Sequence, residues 1–171
     1  MTEERRFLIR EAMPADNDRL TEIFCASRAH AFPTSQLRAD TVDDFLRETD
    51  GEVVLVASDS DGLIQGWMSI WQPKSFVHHL YVDPPVQGQG AGRSLLMALP
   101  RWVPPPYTLK CLRANAKAMA YYTKLGWIEI GSGSDAEGDY ALLEWRMNAP
   151  LPHALHVPSA LGTGLDRSRD D

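Results

Sequence analysis

Two stretches of this chain carry residue types whose spacing suits chemistry. The first is Gln87-Gly88-Gln89-Gly90-Ala91-Gly92-Arg93, which follows the run Leu80-Tyr81-Val82 and the stop Asp83-Pro84-Pro85. Glycines permit positive φ and let backbone approach a ligand closely. A helix opening behind them offers unpaired N–H groups at the positive end of its dipole. That combination suits a phosphate or pyrophosphate. It is not a nucleotide P-loop, because no Gly-Lys-Ser/Thr follows. Nor is it the dinucleotide fingerprint, whose last glycine is replaced by Arg93 when counted from Gly88 and by Leu95 when counted from Gly90. The second stretch runs from Asn115, an N-cap type, to Tyr122, a phenol on the apolar face of a short helix that is either core or a proton donor. Ahead of both stands His78-His79, two imidazoles with an ordinary pKa suited to acid–base work near neutrality. Strict strand alternation sends them to opposite faces, so at most one faces any single cleft.

The elements that must position these groups follow from hydrophobic period and punctuation. Arg5 to Glu11 reads as a strand, and Met13-Pro14 starts a helix at Ala15 with Leu20, Ile23, Phe24 and Ser27 on one face. Thr41 caps a second helix to Glu48, with Asp43 and Asp44 in its first turn. Glu52 to Ser58 and Leu63 to Trp71 are strands joined by the turn Asp59-Ser60-Asp61-Gly62, and Phe76 to Val82 continues the sheet. The glycine-rich turn opens a helix bearing Leu95, Leu96 and Leu99, which Pro100 ends. Tyr107 to Leu112 is a strand, Asn115 to Leu125 a helix closed by Gly126, and Trp127 to Ile130 and Tyr140 to Met147 the last strands. Gly131 to Gly138 reads as a polar, Gly/Ser-rich loop between them. Beyond Asn148 the chain turns rich in proline and glycine, which predicts a tail over 149–171 that is disordered or packs on the domain or a partner.

Length and charge bound the answer further. A chain of 171 residues, 44% apolar, suits one domain with a sizeable core. No apolar run approaches the roughly 20 residues of a membrane span, and the charged start of the chain has no signal-peptide core, so a cytoplasmic location and no membrane partner are expected. Cys25 and Cys111 are too few for a disulfide framework or a cysteine zinc site, and no metal is expected. The net charge of −6 argues against nucleic acid. The charge is uneven, however. Residues 1–83 carry −7, residues 84–128 carry +6 without one carboxylate, and residues 129–171 carry −5. The basic stretch coincides with the two chemical motifs, as a neighbour of an anionic phosphate ligand should. The acidic remainder suits a cationic ligand.

Order and spacing of the motifs resemble the GCN5-related N-acetyltransferase (GNAT) superfamily. Its acyl-CoA signature Gln/Arg-x-x-Gly-x-Gly/Ala is met by Gln87 to Gly92, after a strand ending in Leu-Tyr-Val-Asp-Pro. Its second signature is met by Asn115, Ala118, Tyr121, Tyr122, Gly126 and Trp127. The resemblance spans roughly residues 5–148, read as the acetyltransferase domain (1–148). It implies a mixed α/β (α+β) fold, with a mostly antiparallel central sheet splayed near residues 80–110 and helices on both faces. It implies acetyl-CoA as co-substrate, with the segment Leu80, Tyr81 and Val82 offering its backbone to the pantetheine arm as to an added strand. Gln87 and the amides of Gly88, Gln89, Gly90, Ala91, Gly92 and Arg93 would hold the pyrophosphate. Asn115 would contact the pantetheine, and Tyr122 would be the general acid on the departing thiolate, with Tyr121 packing.

The resemblance also implies an acceptor that is a small-molecule or peptide amine, and a homodimer is common in the superfamily. In its ribosomal-protein acetyltransferases a glutamate five residues before the motif asparagine is the base; here that position is Lys110, which cannot serve while charged. His78, His79 or a water chain are the alternatives. Arg28, His30, Phe32, Trp67 and Trp71 are acceptor-side candidates by position. The leading reading is an N-acetyltransferase transferring acetyl from acetyl-CoA to a primary amine; the competing one is a non-catalytic acyl-CoA sensor.

Overall fold

A computed structural model of the protein describes residues 7–31 and 41–147. The expected start of the first strand at Arg5, the candidate Phe32 and the 149–171 tail lie outside the described residues.

Seven strands form one sheet in the order β1-β2-β3-β4-β5-β7-β6: β1 (Leu8–Glu11), β2 (Val53–Ser58), β3 (Ile64–Trp71), β4 (Phe76–Val82), β5 (Tyr107–Leu112), β6 (Ile128–Asp135) and β7 (Gly138–Trp145). Every neighbouring pair is antiparallel except β4 and β5. Helices α1 (Asn17–Ala31) and α2 (Val42–Glu48) cover one face; α3 (Ala91–Ala98) and α4 (Ala116–Lys124) cover the other. Alternation along β2 and β3 divides the core accordingly. Val56 and Trp67 join Leu20, Ile23, Phe24 and Phe45 beneath α1 and α2, while Leu55, Ala57, Met68 and Ile70 join Leu95, Leu96 and Leu99 beneath α3.

Local chemistry sets the helix starts. Thr41 Oγ1 accepts the amide of Asp44 at 3.2 Å, and the Asp44 carboxylate accepts the amide of Thr41 at 3.0 Å, a reciprocal capping box. Before α1, Pro14–Asp16 form a 3-10 turn in which Asp16 accepts the Met13 amide at 2.7 Å and the Arg10 guanidinium at 2.7 and 3.1 Å. Arg10 holds the Asp16 carboxyl below its ordinary value. A carboxyl whose folded pKa is depressed contributes stability above its unfolded pKa, near 3.9, and loses it as pH falls through the folded value. Asp16→Asn is therefore expected to lower stability at neutral pH by about 1 kcal/mol and to flatten the acid decline below about pH 4. Urea midpoints from neutral to acid pH check this; parallel pH profiles for variant and parent would refute it.

Two departures from the sequence reading concern β6 and β4. Residues 131–135 are strand, not loop: Gly131, Ser132 and Gly133 pair with Leu142, Ala141 and Tyr140, and the turn tightens to Asp135–Gly138. Edge pairing to β7 overrides the weak strand preference of glycine and serine, and a side chain on Gly133 would place its Cβ only 2.4 Å from the Tyr140 hydroxyl oxygen. On β4, Ser69 pairs with His79 and Ile70 with Val77, so His78 is an extra residue, a β-bulge.

Candidate active site

The parallel pair β4 and β5 is joined only at Phe76 with Thr108 and Val77 with Leu109; beyond these the strands part. Asp83 donates its amide to the Gln65 carbonyl of the opposite neighbour at 2.8 Å. By antiparallel alternation, Leu80 and Val82 then turn their N–H and C=O toward the gap while Tyr81 turns its own toward β3. The expectation that Leu80 and Val82 offer backbone to a ligand thus has a geometric basis. The Val82 carbonyl is already shared, accepting from Ser27 Oγ at 2.9 Å and from Gln87 Nε2 at 3.2 Å.

At the mouth of the gap lies the glycine-rich turn. Gly88 has φ +81° and Gly90, the N-cap of α3, has φ +101°, values other residues rarely adopt. The first intrahelical bond runs from Ser94 N to Gly90 O at 2.9 Å. The helix geometry therefore leaves the amides of Ala91, Gly92 and Arg93 without intrahelical acceptors. Gly92 has a different reason to be glycine, since a Cβ there would stand 3.0 Å from the Tyr121 hydroxyl. Tyr121 is therefore packing over the turn, and burial pushes its phenol up to about 12. Gln87 faces inward as a strut: its Nε2 holds Val82 and its Oε1 accepts from Lys117 Nζ at 3.2 Å. Asn115 caps α4, accepting the Ala118 amide at 3.1 Å.

Tyr122 sits across the parting strands. Its ring lies 5.4 Å from Tyr121 and 5.7 Å from Trp127, and burial, then Cys111 on β5, Tyr121, and Tyr81 on β4, drive its phenol well above the usual tyrosine range. The phenol stays protonated throughout the working pH range. Burial likewise raises the Cys111 thiol to about 11, so it is no nucleophile.

The histidines depart from strict alternation. Because of the bulge, their rings lie side by side with centroids 4.0 Å apart at 33°, not on opposite faces. His78 Nδ1 is 2.7 Å from Glu52 Oε1, and this contact raises the His78 pKa against the opposing effect of burial. His79 Nδ1 is 2.9 Å from Ser69 Oγ, its Nε2 is 3.3 Å from Glu48 Oε2, and burial lowers it to about 4. Burial pushes the Glu52 carboxyl up, but the His78 contact, the nearby Ser69 hydroxyl and the neighbouring imidazoles together hold it below its ordinary value. Glu52, Glu48 and Ser69 were not singled out from the sequence. An acid after an Asp-Gly turn carries no local signal, and only the β4 bulge turns two histidines toward it.

Other expectations resolve plainly. Trp67 is core, donating Nε1 to Leu20 O at 3.0 Å, whereas Trp71 is 40% exposed. Arg28 crosses Phe24 at 4.8 Å and lies 3.9 Å from Glu48 and 4.0 Å from Glu137, so the end of α1, α2 and the β6–β7 turn meet on the histidine side. His30 is exposed. Lys110 is paired with Asp135 and lies 4.8 Å from the Tyr140 ring, engaged as a cation.

A seven-stranded sheet that opens between β4 and β5, with helices on both faces, is the acetyltransferase architecture of the GNAT superfamily. The model described as Acetyltransferase (GNAT) family matches residues 17–127, and this chain belongs to that family. No curated protein matches its sequence. Among solved structures it is similar to a GCN5-related N-acetyltransferase from Rhodopseudomonas palustris, with 20% identity and TM-score 0.69 over 84% of this chain and 98% of that one. It is also similar to yncA of Salmonella typhimurium, solved with acetyl-CoA, with 22% identity and TM-score 0.61 over 88% and 99%. A third is a phosphinothricin acetyltransferase from Sinorhizobium meliloti, solved with AcCoA, with 22% identity and TM-score 0.60 over 81% and 87%. At these identities the likeness is one of fold. Among the described residues no helix is long and apolar enough to cross a membrane.

Proposed function

We propose that the chain is an N-acetyltransferase that moves an acetyl group from acetyl-CoA to a primary amine on a small molecule or peptide. The observation that carries this reading is the convergence, at one opening of the sheet, of a strand edge, a positive-φ glycine turn at a helix N-terminus and the protonated Tyr122. The residues fit the cofactor. The edge at Leu80 and Val82 suits an amide-bearing pantetheine arm, the turn from Gly88 to Arg93 suits a pyrophosphate, and no carboxylate interrupts residues 84–128 to repel it. Acetyl-CoA, when bound, supplies an activated thioester.

The chain's own groups account for the proton movements. The amine loses a proton as its nitrogen bonds to the acetyl carbon, the carbon–sulfur bond breaks, and the sulfur leaves as a thiolate that takes its proton from solvent. Tyr122 directs its hydroxyl proton at the departing sulfur. Full transfer from a phenol above 10 to a thiolate near 8.5 is uphill, so its contribution is a hydrogen bond that strengthens as charge develops on sulfur. His78 and His79 stand just before Leu80, on the side where Arg28, Glu48 and Glu137 meet, and we assign the amine's proton to this pair or to water held by it. Lys110, paired with Asp135, takes no part. The carboxylates at this end of the cleft, Glu48, Glu52 and Glu137, favour a cationic amine.

Thiol release from acetyl-CoA over a panel of polyamines, aminoglycosides, amino acids and peptides tests the reading. At least one amine is expected to accelerate release, cationic ones most. Tight acetyl-CoA binding with no acceleration by any amine would favour the sensor instead.

A further inference from the structure

The geometry points to a binding site for one borderline divalent transition-metal ion, Zn2+ being its representative, formed by Glu52, His78 and His79 at the β4 bulge. One ligand atom from each of the three lies within 4.8 Å of the others. Bonds of about 2.0–2.1 Å in a tetrahedral arrangement need donor separations of about 3.3 Å, so closing the set takes side-chain shifts on the order of an ångström. Two imidazole nitrogens with one carboxylate oxygen suit Zn2+ and its neighbours, and do not suit the all-oxygen preference of Mg2+ or Ca2+. Three protein donors leave the fourth position open.

A separate observation also asks for a cation. The Glu52 side chain is 7% exposed; its Oε1 meets His78, while Oε2 is buried without a hydrogen-bond partner, 4.0 Å from His79 Nδ1. A buried carboxylate oxygen left unpaired is destabilising, and a metal ion beside it would remove that cost. The surroundings agree. With His79 Nδ1 turned to the metal, its Nε2–H faces Glu48 Oε2 at 3.3 Å, the outer carboxylate that commonly orients a metal-bound histidine. Ser69 Oγ, now 2.9 Å from that Nδ1, would rotate away. Arg28 and Lys110 are the nearby cations opposing the ion, and each is offset by its own partner, Glu48 and Asp135. His78 is 47% exposed in its side chain, which provides an entry path.

An ion here would occupy the nitrogens assigned to the amine's proton, and so would inhibit acetyl transfer reversibly. That effect on rate rests on the acetyltransferase reading, whereas binding of the ion does not. The test uses the metal-free full-length chain, titrated with Zn2+ by calorimetry and with Co2+ by visible absorption. One equivalent should bind, giving tetrahedral Co2+ bands without the thiolate charge-transfer band that Cys25 or Cys111 would add. Glu52→Gln and His78→Gln, each with circular dichroism matching the parent, should weaken Zn2+ by about tenfold or more. His153→Ala with His156→Ala, which removes the two histidines of the 149–171 segment, should leave affinity within about twofold. Failure to bind one equivalent in the micromolar range overturns the site. So does an affinity that survives both Glu52→Gln and His78→Gln, or that vanishes with the 153/156 pair. Binding lost in Glu52→Gln but without inhibition of the parent supports the site and removes His78 and His79 from the amine's deprotonation.

Discussion

Tyr122→Phe is expected to lower kcat for acetyl transfer by about 10²-fold or more while leaving the dissociation constant of acetyl-CoA within about twofold. The deleted oxygen makes no hydrogen bond among the described residues, so the fold loses little, and the ring keeps its packing against Tyr121 and Trp127. The group removed interacts with charge that exists only as the carbon–sulfur bond breaks. Its loss therefore falls on the transition state and not on binding. A 10²-fold loss is about 2.7 kcal/mol, within reach of one strengthened hydrogen bond in a site screened from water. Stopped assays at saturating acetyl-CoA and amine measure kcat, and calorimetry measures affinity. Equal kcat values for variant and parent would remove Tyr122 from the mechanism.

Gly90→Val should do the opposite, weakening acetyl-CoA at least tenfold before it touches the chemical step. Space is not the obstacle, since the nearest atom to an added Cβ is Phe7 Cε2 at 3.9 Å. The obstacle is φ +101° at the N-cap of α3, which a β-branched residue adopts only at a cost of about 1–3 kcal/mol. Relief of that strain moves the amides of Ala91, Gly92 and Arg93 off a shared point, and a tenfold change in affinity corresponds to only about 1.4 kcal/mol. Gly90→Ala should fall between parent and valine variant. A dissociation constant equal to the parent's in the valine variant, with circular dichroism unchanged, would contradict the phosphate-turn assignment.

Legibility in the sequence followed the range of the forces involved. The glycine turn, the Asn115 cap, the Thr41 cap and the β2–β3 hairpin are local, each settled within a few residues by φ requirements or a side chain bonding a nearby amide. All four were readable. The strand at 131–135 was not, because glycine and serine take strand geometry there through pairing with β7, a property of the partner and not of the segment. Trp67 was likewise ambiguous from position alone. Its burial depends on Leu20, Phe24 and Phe45 arriving from two helices.

What the sequence determined by itself was the class of fold, together with the motifs proposed for the cofactor half of the candidate site, since both rest on contiguous motifs with fixed spacing. The proposed acceptor half depends on tertiary structure. A period of two, applied to His78 and His79, separates them. Pairing of β4 with β3 places the extra residue at His78, turns both rings the same way and brings them against Glu52, 26 residues earlier than His78 in the chain. A bulge belongs to the register between two strands, so no residue of β4 announces it, and the charged cluster it builds exists only once the sheet is assembled.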